Sequence, residues 1–176
     1  MTEAHDIWQH MFSGQWYQTQ HPDLVAARER AKQLCWELNN WPQTALAERK
    51  DIIRRLLPNV CSATVGANFG CDYGVNIYAG KNLVIGDRVV VLDPGIIRLG
   101  HGVTIADNVV LASLTHPLES ARRRAGWQQT APIIIGDNVS VGEGCSVLPG
   151  ANIPPNTCIA AGSVIAASTS LAGQVI

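Results

Sequence analysis

His116 is the reactive residue of the stretch 112–117, between Thr115 and Pro117, where a regular six-residue rhythm breaks off. An imidazole titrates near neutral pH, so it can take the proton of a hydroxyl that is attacking an electrophilic carbon. Without such a base a hydroxyl is a poor nucleophile. The other histidines, His5, His10, His21 and His101, lack this setting and are read as surface residues. Asp72 and Asp93 have two open readings, as contacts to an acceptor molecule or as turn residues. Trp127 could stack on the apolar face of a sugar ring. Arg122, Arg123 and Arg124 could meet an anion or form a solvated charge run.

The elements that must position these residues follow from the rhythm itself. Ile135, Val141, Val147, Ile153, Ile159, Ile165 and Leu171 are six apart, and small residues recur four positions after the aliphatic ones. This internal repeat is that of a parallel β-helix, with three hexapeptides to a coil and aliphatic residues stacked inward. Gly, Asn and Asp are expected at its corners, where the chain turns sharply or enters positive φ. Leu99, Ile105 and Leu111 share the phase of Ile135, so residues of about 113–132 form an excursion that leaves the helix and returns in register. His116 lies at its root, and loops on rigid scaffolds commonly carry function. Two earlier runs, Val65, Cys71, Ile77, Leu83 and Ile85, Val91, Ile97, differ in phase. Small corner insertions near Leu83–Ile85 and Ile97–Leu99 would explain the slips.

Residues 1–60 are expected to form an N-terminal helical segment and 61–176 the β-helix. The aromatics Trp8, Phe12, Trp16 and Tyr17 suit docking on the β-helix or on a neighbouring subunit. Pro22 starts a helix running to about Leu38, with an apolar stripe of Leu24, Ala27, Ala31, Leu34, Cys35 and Leu38. Arg28, Arg30 and Lys32 are placed on its solvated face. Thr44 is the expected N-cap of a second helix from about Ala45 to Leu57. The last hexad, from Leu171, is apolar, and its end would need cover from a neighbouring chain.

With 176 residues and a net charge of −1, nothing calls for a nucleic-acid or anionic-membrane partner. The polar first residues carry no signal sequence, and no apolar run is long enough to span a bilayer. Five cysteines without metal-ligand spacing suit a reducing, cytoplasmic setting. Cys71, Cys145 and Cys158 fall on repeat positions and are read as small apolar fillers. The histidines are too scattered for a three-histidine zinc site, so no metal is expected.

Cys71-Asp72-Tyr73-Gly74-Val75-Asn76-Ile77, Thr115-His116-Pro117, Ile135-Gly136-Asp137-Asn138-Val139 and Ser13-Gly14-Gln15-Trp16-Tyr17 ahead of a helical hairpin carry a resemblance. The chain resembles the maltose/galactoside O-acetyltransferase branch of the hexapeptide-repeat acyltransferases over almost its whole length. The resemblance implies a mainly β fold, a left-handed parallel β-helix with an N-terminal α-helical hairpin, assembled as a homotrimer with sites between subunits. It implies acetyl-CoA as donor, lying in a groove that Gly142 and Ala161 would line, and a hydroxyl of a sugar or similar small acceptor. His116 would be the general base, and Asp72, Asp93 and Trp127 would contact the acceptor. The chain departs from the family in three places. Ile85-Gly86-Asp87-Arg88 stands where the family has an Asn assisting catalysis, a role Asp87 or Arg88 could share. Glu143 follows Gly142, and Ile165-Ala166-Ala167-Ser168 replaces a Thr-Lys-Asp-like run. An acyltransferase with another acceptor, such as an amine, and a scaffold protein on the same fold are the competing readings.

Overall fold

A computed structural model describes residues 3–169. Helix α1 (Glu3–Phe12), strand β1 (Tyr17–Gln18), α2 (Pro22–Asn40) and α3 (Leu46–Leu56) come first. A left-handed parallel β-helix follows, built from three sheets that receive one strand each in turn. One sheet holds β2 (Ala63–Val65), β5 (Leu83–Ile85), β8 (Thr104–Ile105), β13 (Ser140–Val141) and β16 (Cys158–Ile159). The second holds β3 (Gly70–Cys71), β6 (Val90–Leu92), β9 (Val110–Ala112), β14 (Ser146–Val147) and β17 (Val164–Ile165). The third holds β4 (Ile77–Ala79), β7 (Ile97–Leu99), β12 (Ile133–Ile135) and β15 (Asn152–Ile153). Between β9 and β12 the chain makes β10 (Leu114–Thr115), α4 (Ser120–Arg124) and β11 (Trp127–Thr130). The expected Leu171 repeat and the apolar last hexad lie outside the described residues.

Every aliphatic residue of the late rhythm within this range points inward, with Val141, Val147, Ile153, Ile159 and Ile165 all buried. At most corners the residue three places after the strand turns through positive φ, as at Asn68, Asn108, Asn138 and Asn156. Asparagine tolerates this region better than most side chains. Carboxylates tie successive coils together there: Asp87 Oδ1 accepts the Ala67 N–H at 2.7 Å, and Asp107 Oδ1 accepts the Asp87 N–H at 2.9 Å. His101 does the same work, its Nδ1 accepting the Lys81 N–H at 3.0 Å.

The register relocates the phase slips. Ile77 and Ala79 are both inward on one strand, as are Leu83 with Ile85 and Ile97 with Leu99. Strand side chains alternate, so positions two apart share a face and mimic a slip. The added residues lie elsewhere. Val65 pairs with Ile85 and Ile85 with Ile105, giving coils of twenty residues, whereas Val141 pairs with Ile159 after eighteen. Cys71 to Ala79 and Val91 to Leu99 each take eight residues, against six from Val147 to Ile153. In the next coil the same interval, Leu111 to Ile135, also absorbs β10, α4 and β11. All the irregularity therefore falls on one edge of the prism.

Helices α2 and α3 close the first coil. Leu34, Leu38, Ile52, Leu56 and Leu57 join Val65 and Phe69 in the core. Asn39 satisfies both backbone groups of Phe69, accepting its N–H at 3.0 Å and donating to its carbonyl at 2.8 Å. Arg49, buried with no carboxylate partner among the described residues, donates to the carbonyls of Leu38 and Val65 at 2.7 and 2.8 Å, joining the end of α2 to β2. These bonds satisfy groups that a bare solenoid end would leave unpaired.

Several expectations are corrected here. The N-cap of α3 is Ala45 without a side-chain bond, not Thr44. Arg28 is half-buried instead of solvated, because Tyr73 and the Thr19 carbonyl take its guanidinium. Cys158 is exposed, since it occupies the outward place beside inward Ile159. Cys71 faces Cys35 across the joint between α2 and β3, Sγ to Sγ 3.8 Å. Among the described residues no helix is long and apolar enough to cross a membrane.

Candidate active site

The enlarged edge gathers Asp72, Asp93 and the root of the excursion. Asp72 and Tyr73 follow β3, Asp93 follows β6, and Ser113 follows β9, one coil apart. Asp93 is fully buried, and its Oδ1 accepts the backbone N–H groups of Asp72 and Tyr73 at 3.0 and 2.9 Å. Asn76 Nδ2 donates to the Asp93 carbonyl at 2.7 Å. The Asp93 Oδ2 has no partner among the described residues. Burial, with the nearby Asp72 charge, pushes the Asp93 carboxyl up to about 6, against the lowering pull of the Tyr73, Asn76 and Gly74 backbone N–H groups. Burial also raises Asp72, opposed by Arg28 and Lys32.

Ser113 locks the next level. Its Oγ accepts the Gly95 N–H at 2.8 Å and donates toward the Leu92 and Gly95 carbonyls at 2.9 and 3.0 Å. The chain then leaves the prism through β10, which pairs antiparallel with β11, Thr115 opposite Gln129. His116 follows directly and is exposed, with no side-chain hydrogen bond among the described residues. Arg123 reaches back from α4 to the carbonyls of Pro117 and Leu118, which fixes the turn after His116.

Beneath this edge the N-terminal segment packs on Tyr73. Met11, Tyr17, Leu24 and Tyr73 form a second buried cluster, with Trp8 edge-on to the Tyr73 ring. Arg28 donates to the Tyr73 hydroxyl at 2.8 Å and stacks on its ring. Burial raises both Tyr17 and Tyr73 above the usual phenol value. Strand β1 adds to β11, and the Tyr17 hydroxyl donates to Gln128 Oε1 at 2.8 Å. The excursion is thereby fixed to the N-terminal segment as well as to the prism.

Trp127 lies on β11, opposite Gln18, and lines a cavity of about 570 Å³ with Ile7, His10, Trp16, Tyr17, Gln20 and His21. Gly142 and Ala161 meet at a different edge, where a Cβ on Gly142 would stand 2.6 Å from the Ala161 nitrogen. Asp72 and Asp93 are thus together and Gly142 and Ala161 are together, while His116 follows the end of β10 and Trp127 lies on β11, with no contact between the two side chains established. Asp87 is a corner ligand to Ala67, and Arg88 Nε donates to Asn108 Oδ1 at 2.7 Å. Glu143 accepts from Asn108 Nδ2 at 3.0 Å. Sequence reasoning gives Arg28, His10 and His21 as surface residues and Tyr17 as a docking aromatic, and assigns none of them to this region. The Pro22 helix start offered a signal for His21, whose Nδ1 caps α2 by accepting the Asp23 N–H. Among the described residues no three His, Cys, Asp or Glu side chains form a metal-ligand cluster.

Residues 10–60 match the maltose acetyltransferase hexapeptide capping motif. The chain superposes on a maltose O-acetyltransferase from Clostridium difficile with a TM-score of 0.85 and 36% identity, over 90% of this chain and 85% of that one. A hexapeptide-repeat acetyltransferase from Vibrio cholerae, in complex with acetyl coenzyme A, gives a TM-score of 0.79 at 26% identity, covering 94% of this chain and 88% of that one. A Saccharomyces cerevisiae protein named provisionally as an acetyltransferase is 35% identical over 67% of this chain, which spans 61% of that protein's length. Sequence motif, coil architecture and overall superposition agree, and the chain belongs to the maltose/galactoside O-acetyltransferase branch of the hexapeptide-repeat acyltransferases.

Proposed function

We propose that this protein moves an acetyl group from acetyl-CoA to a hydroxyl of a sugar or similar small acceptor, with His116 as general base. The observation that carries the reading is the enlarged edge, where three successive coils bring Asp72, Asp93 and the root of the His116 hairpin together. The Vibrio cholerae relative, seen with acetyl coenzyme A, supports the choice of donor.

In this reading His116 takes the hydroxyl proton as the oxygen attacks the thioester carbonyl, and later passes it to the departing thiolate. Its exposure leaves both ring nitrogens open to an acceptor. The half-buried Asp72 carboxylate would accept from acceptor hydroxyls. The orphaned Asp93 Oδ2 would either accept there or carry the carboxyl proton outward. Holding both partners in one complex supplies much of the rate. The donor suits the edge where Gly142 and Ala161 stack. Side chains there are small, and the Glu143 carboxylate is held by Asn108. A thin pantetheine arm could lie along such an edge. A homotrimer with the groove between neighbouring prisms completes the proposal, because a single chain leaves both His116 and Ala161 open to solvent.

The test is thermal unfolding with and without acetyl-CoA, followed by thiol release against a panel of acceptors. A ligand that binds only the folded state stabilises it by about 2.7 kcal/mol at a hundredfold excess over Kd. A rise with acetyl-CoA and none with acetate, then transfer to a sugar hydroxyl, is the expected result. Preferred transfer to an amine selects the other acceptor class. No rise at millimolar acetyl-CoA removes the reading in favour of a scaffold.

A further inference from the structure

Three side-chain contacts fix α2 against the stretch 69–73. Asn39 holds both backbone groups of Phe69, and Arg28 donates to the Tyr73 hydroxyl at 2.8 Å. Between these two anchors Cys35 meets Cys71. Cys35 and Asn39 are four positions apart on α2, so they share a face of the helix. The two sulfurs, 36 positions apart in the chain, stand 3.8 Å apart. Cys35 belongs to the core that also holds Leu34, Leu38 and Phe69, and Cys71 packs against it.

The other cysteines are placed differently. Cys61 and Cys158 are exposed, and the buried Cys145 donates its thiol to the Ala160 carbonyl at 3.0 Å. A sulfur–sulfur bond measures about 2.05 Å, so Cys35 and Cys71 need a movement of only about 1.8 Å to join. The bond between the two thiols favours the thiolate of Cys35, while that bond and burial push the Cys71 thiol up. A thiolate beside a thiol is what a peroxide oxidises, and the half-buried Cys71 leaves a way in for an oxidant little larger than water.

The chemistry closes without a further reactant. The Cys35 thiolate attacks one oxygen of hydrogen peroxide, the O–O bond breaks, hydroxide leaves and a sulfenic acid forms. The Cys71 sulfur then attacks the Cys35 sulfur, water leaves and a disulfide remains. Together the two sulfurs lose two electrons to the peroxide, and both thiol protons end in the two waters formed. Cys71 directly precedes Asp72, whose N–H is bonded to Asp93 Oδ1 at 3.0 Å. Drawing Cys71 toward α2 pulls on that bond. We propose that Cys35 and Cys71 form a reversible disulfide on exposure to a small peroxide, and that the disulfide displaces Asp72 against Asp93. Transient, redox-sensing disulfides are the kind a reducing compartment allows. The dithiol site stands on its own geometry; its effect on catalysis rests on the acetyl-transfer reading.

Hydrogen peroxide added to the full chain, followed by alkylation of free thiols and peptide mapping by mass spectrometry, tests it. A peptide pair joined through Cys35 and Cys71 within one chain is expected, and dithiothreitol should separate it. Oxidation should raise the Tm by several degrees, because the closed loop restricts the unfolded chain. In the transfer assay the oxidised protein should show an acceptor KM raised threefold or more, with the acetyl-CoA KM unchanged. Cys35→Ser should lose the link, the Tm rise and the KM shift together. The double variant Cys61→Ser/Cys158→Ser should keep all three. No 35–71 link in the folded protein, a link formed only after unfolding in urea, or a KM shift that survives in Cys35→Ser overturns the proposal. A linked protein with an unchanged acceptor KM overturns the displacement of Asp72. A protein that forms the link reversibly but acetylates no acceptor keeps the dithiol site and loses the transfer reading. Transfer without the link does the reverse.

Discussion

Two edges of the same prism do opposite things with the same backbone. At the edge carrying Gly142 and Ala161 the coils are as short as the repeat allows. Each turn is one hexapeptide, and a positive-φ residue and a backbone contact define it. At the edge carrying Asp72 and Asp93, two residues are added in each of the first two coils and the hairpin and α4 are added in the third. The short edge puts its side chains outward, with carboxylates bonded to neighbouring N–H groups. The long edge turns a carboxylate inward, leaves one of its oxygens without a partner among the described residues and exposes a histidine at the root of its excursion. Regularity stabilises the solenoid, and the departure from it makes room for chemistry.

The largest effect expected from this contrast is catalytic. His116→Ala should lower acetyl transfer about 10³-fold, the usual scale for losing a general base. Its Tm should stay within a degree or two, because His116 is exposed and bonds to nothing among the described residues. A variant that keeps wild-type kcat/KM would empty the long edge of its assigned role.

Asp93 gives the next effect. Its folded value is raised to about 6 from 3.8. Below pH 4 the carboxyl is protonated in both states and costs nothing. As pH rises through 6 the folded state must bury a charge that the unfolded chain keeps in water, so stability is lost across that window and is flat above it. The loss amounts to about 3 kcal/mol, from the energy of one pKa unit. Asp93→Asn keeps an oxygen for the Asp72 and Tyr73 N–H groups and removes the charge. Its Tm, relative to the native protein's, should therefore climb between pH 4 and pH 7. A difference that does not change with pH would mean that the charge is not desolvated.

The short edge should respond to packing, not to pH. In Gly142→Ala the new Cβ would stand 2.6 Å from the Ala161 nitrogen and 2.7 Å from the Ile159 carbonyl oxygen, both backbone atoms of the next coil. The coils must separate, at a cost of about 2–3 kcal/mol. Gly144→Ala, two residues on, meets nothing within 4 Å and pays only for its φ of +67°, about 1 kcal/mol. Denaturant midpoints of the two variants check the order. Equal losses would show that corner conformation, and not coil contact, limits this edge.

How far each edge was legible follows from its regularity. The six-residue spacing from Ile135 to Ile165 fixes inward positions, corners and sheet order, and His116 is visible because the rhythm stops there. Spacing alone misplaces the two-residue expansions at Asp72 and Asp93, because inward residues two apart on one strand look like a change of phase. Local spacing puts Arg28 in solvent and makes Thr44 a cap, since tertiary partners, the Tyr73 hydroxyl above all, are invisible to it. The Trp16–Arg122–Trp127 stack joins residues more than a hundred positions apart, and only the β1–β11 pairing brings them together.

The smallest effect tests whether the short edge is itself fully regular. Among the described residues six other than glycine have positive φ, and five of them are asparagines; the sixth is Arg88, at +55°. A long side chain gains nothing from this region and carries a steric cost of about 1–2 kcal/mol. Against that stand its 2.7 Å bond to Asn108 and a 3.6 Å ion pair with Asp107, both at the surface. Exposed pairs of this kind contribute a few tenths of a kcal/mol. Arg88→Asn should therefore raise stability by about 0.5–1 kcal/mol, seen as a higher urea midpoint with an unchanged m-value. A lower midpoint would mean that the ladder from Arg88 through Asn108 to Glu143 holds these coils together more strongly than the corner strains them. The departure at Arg88 would then itself serve the stability of the short edge.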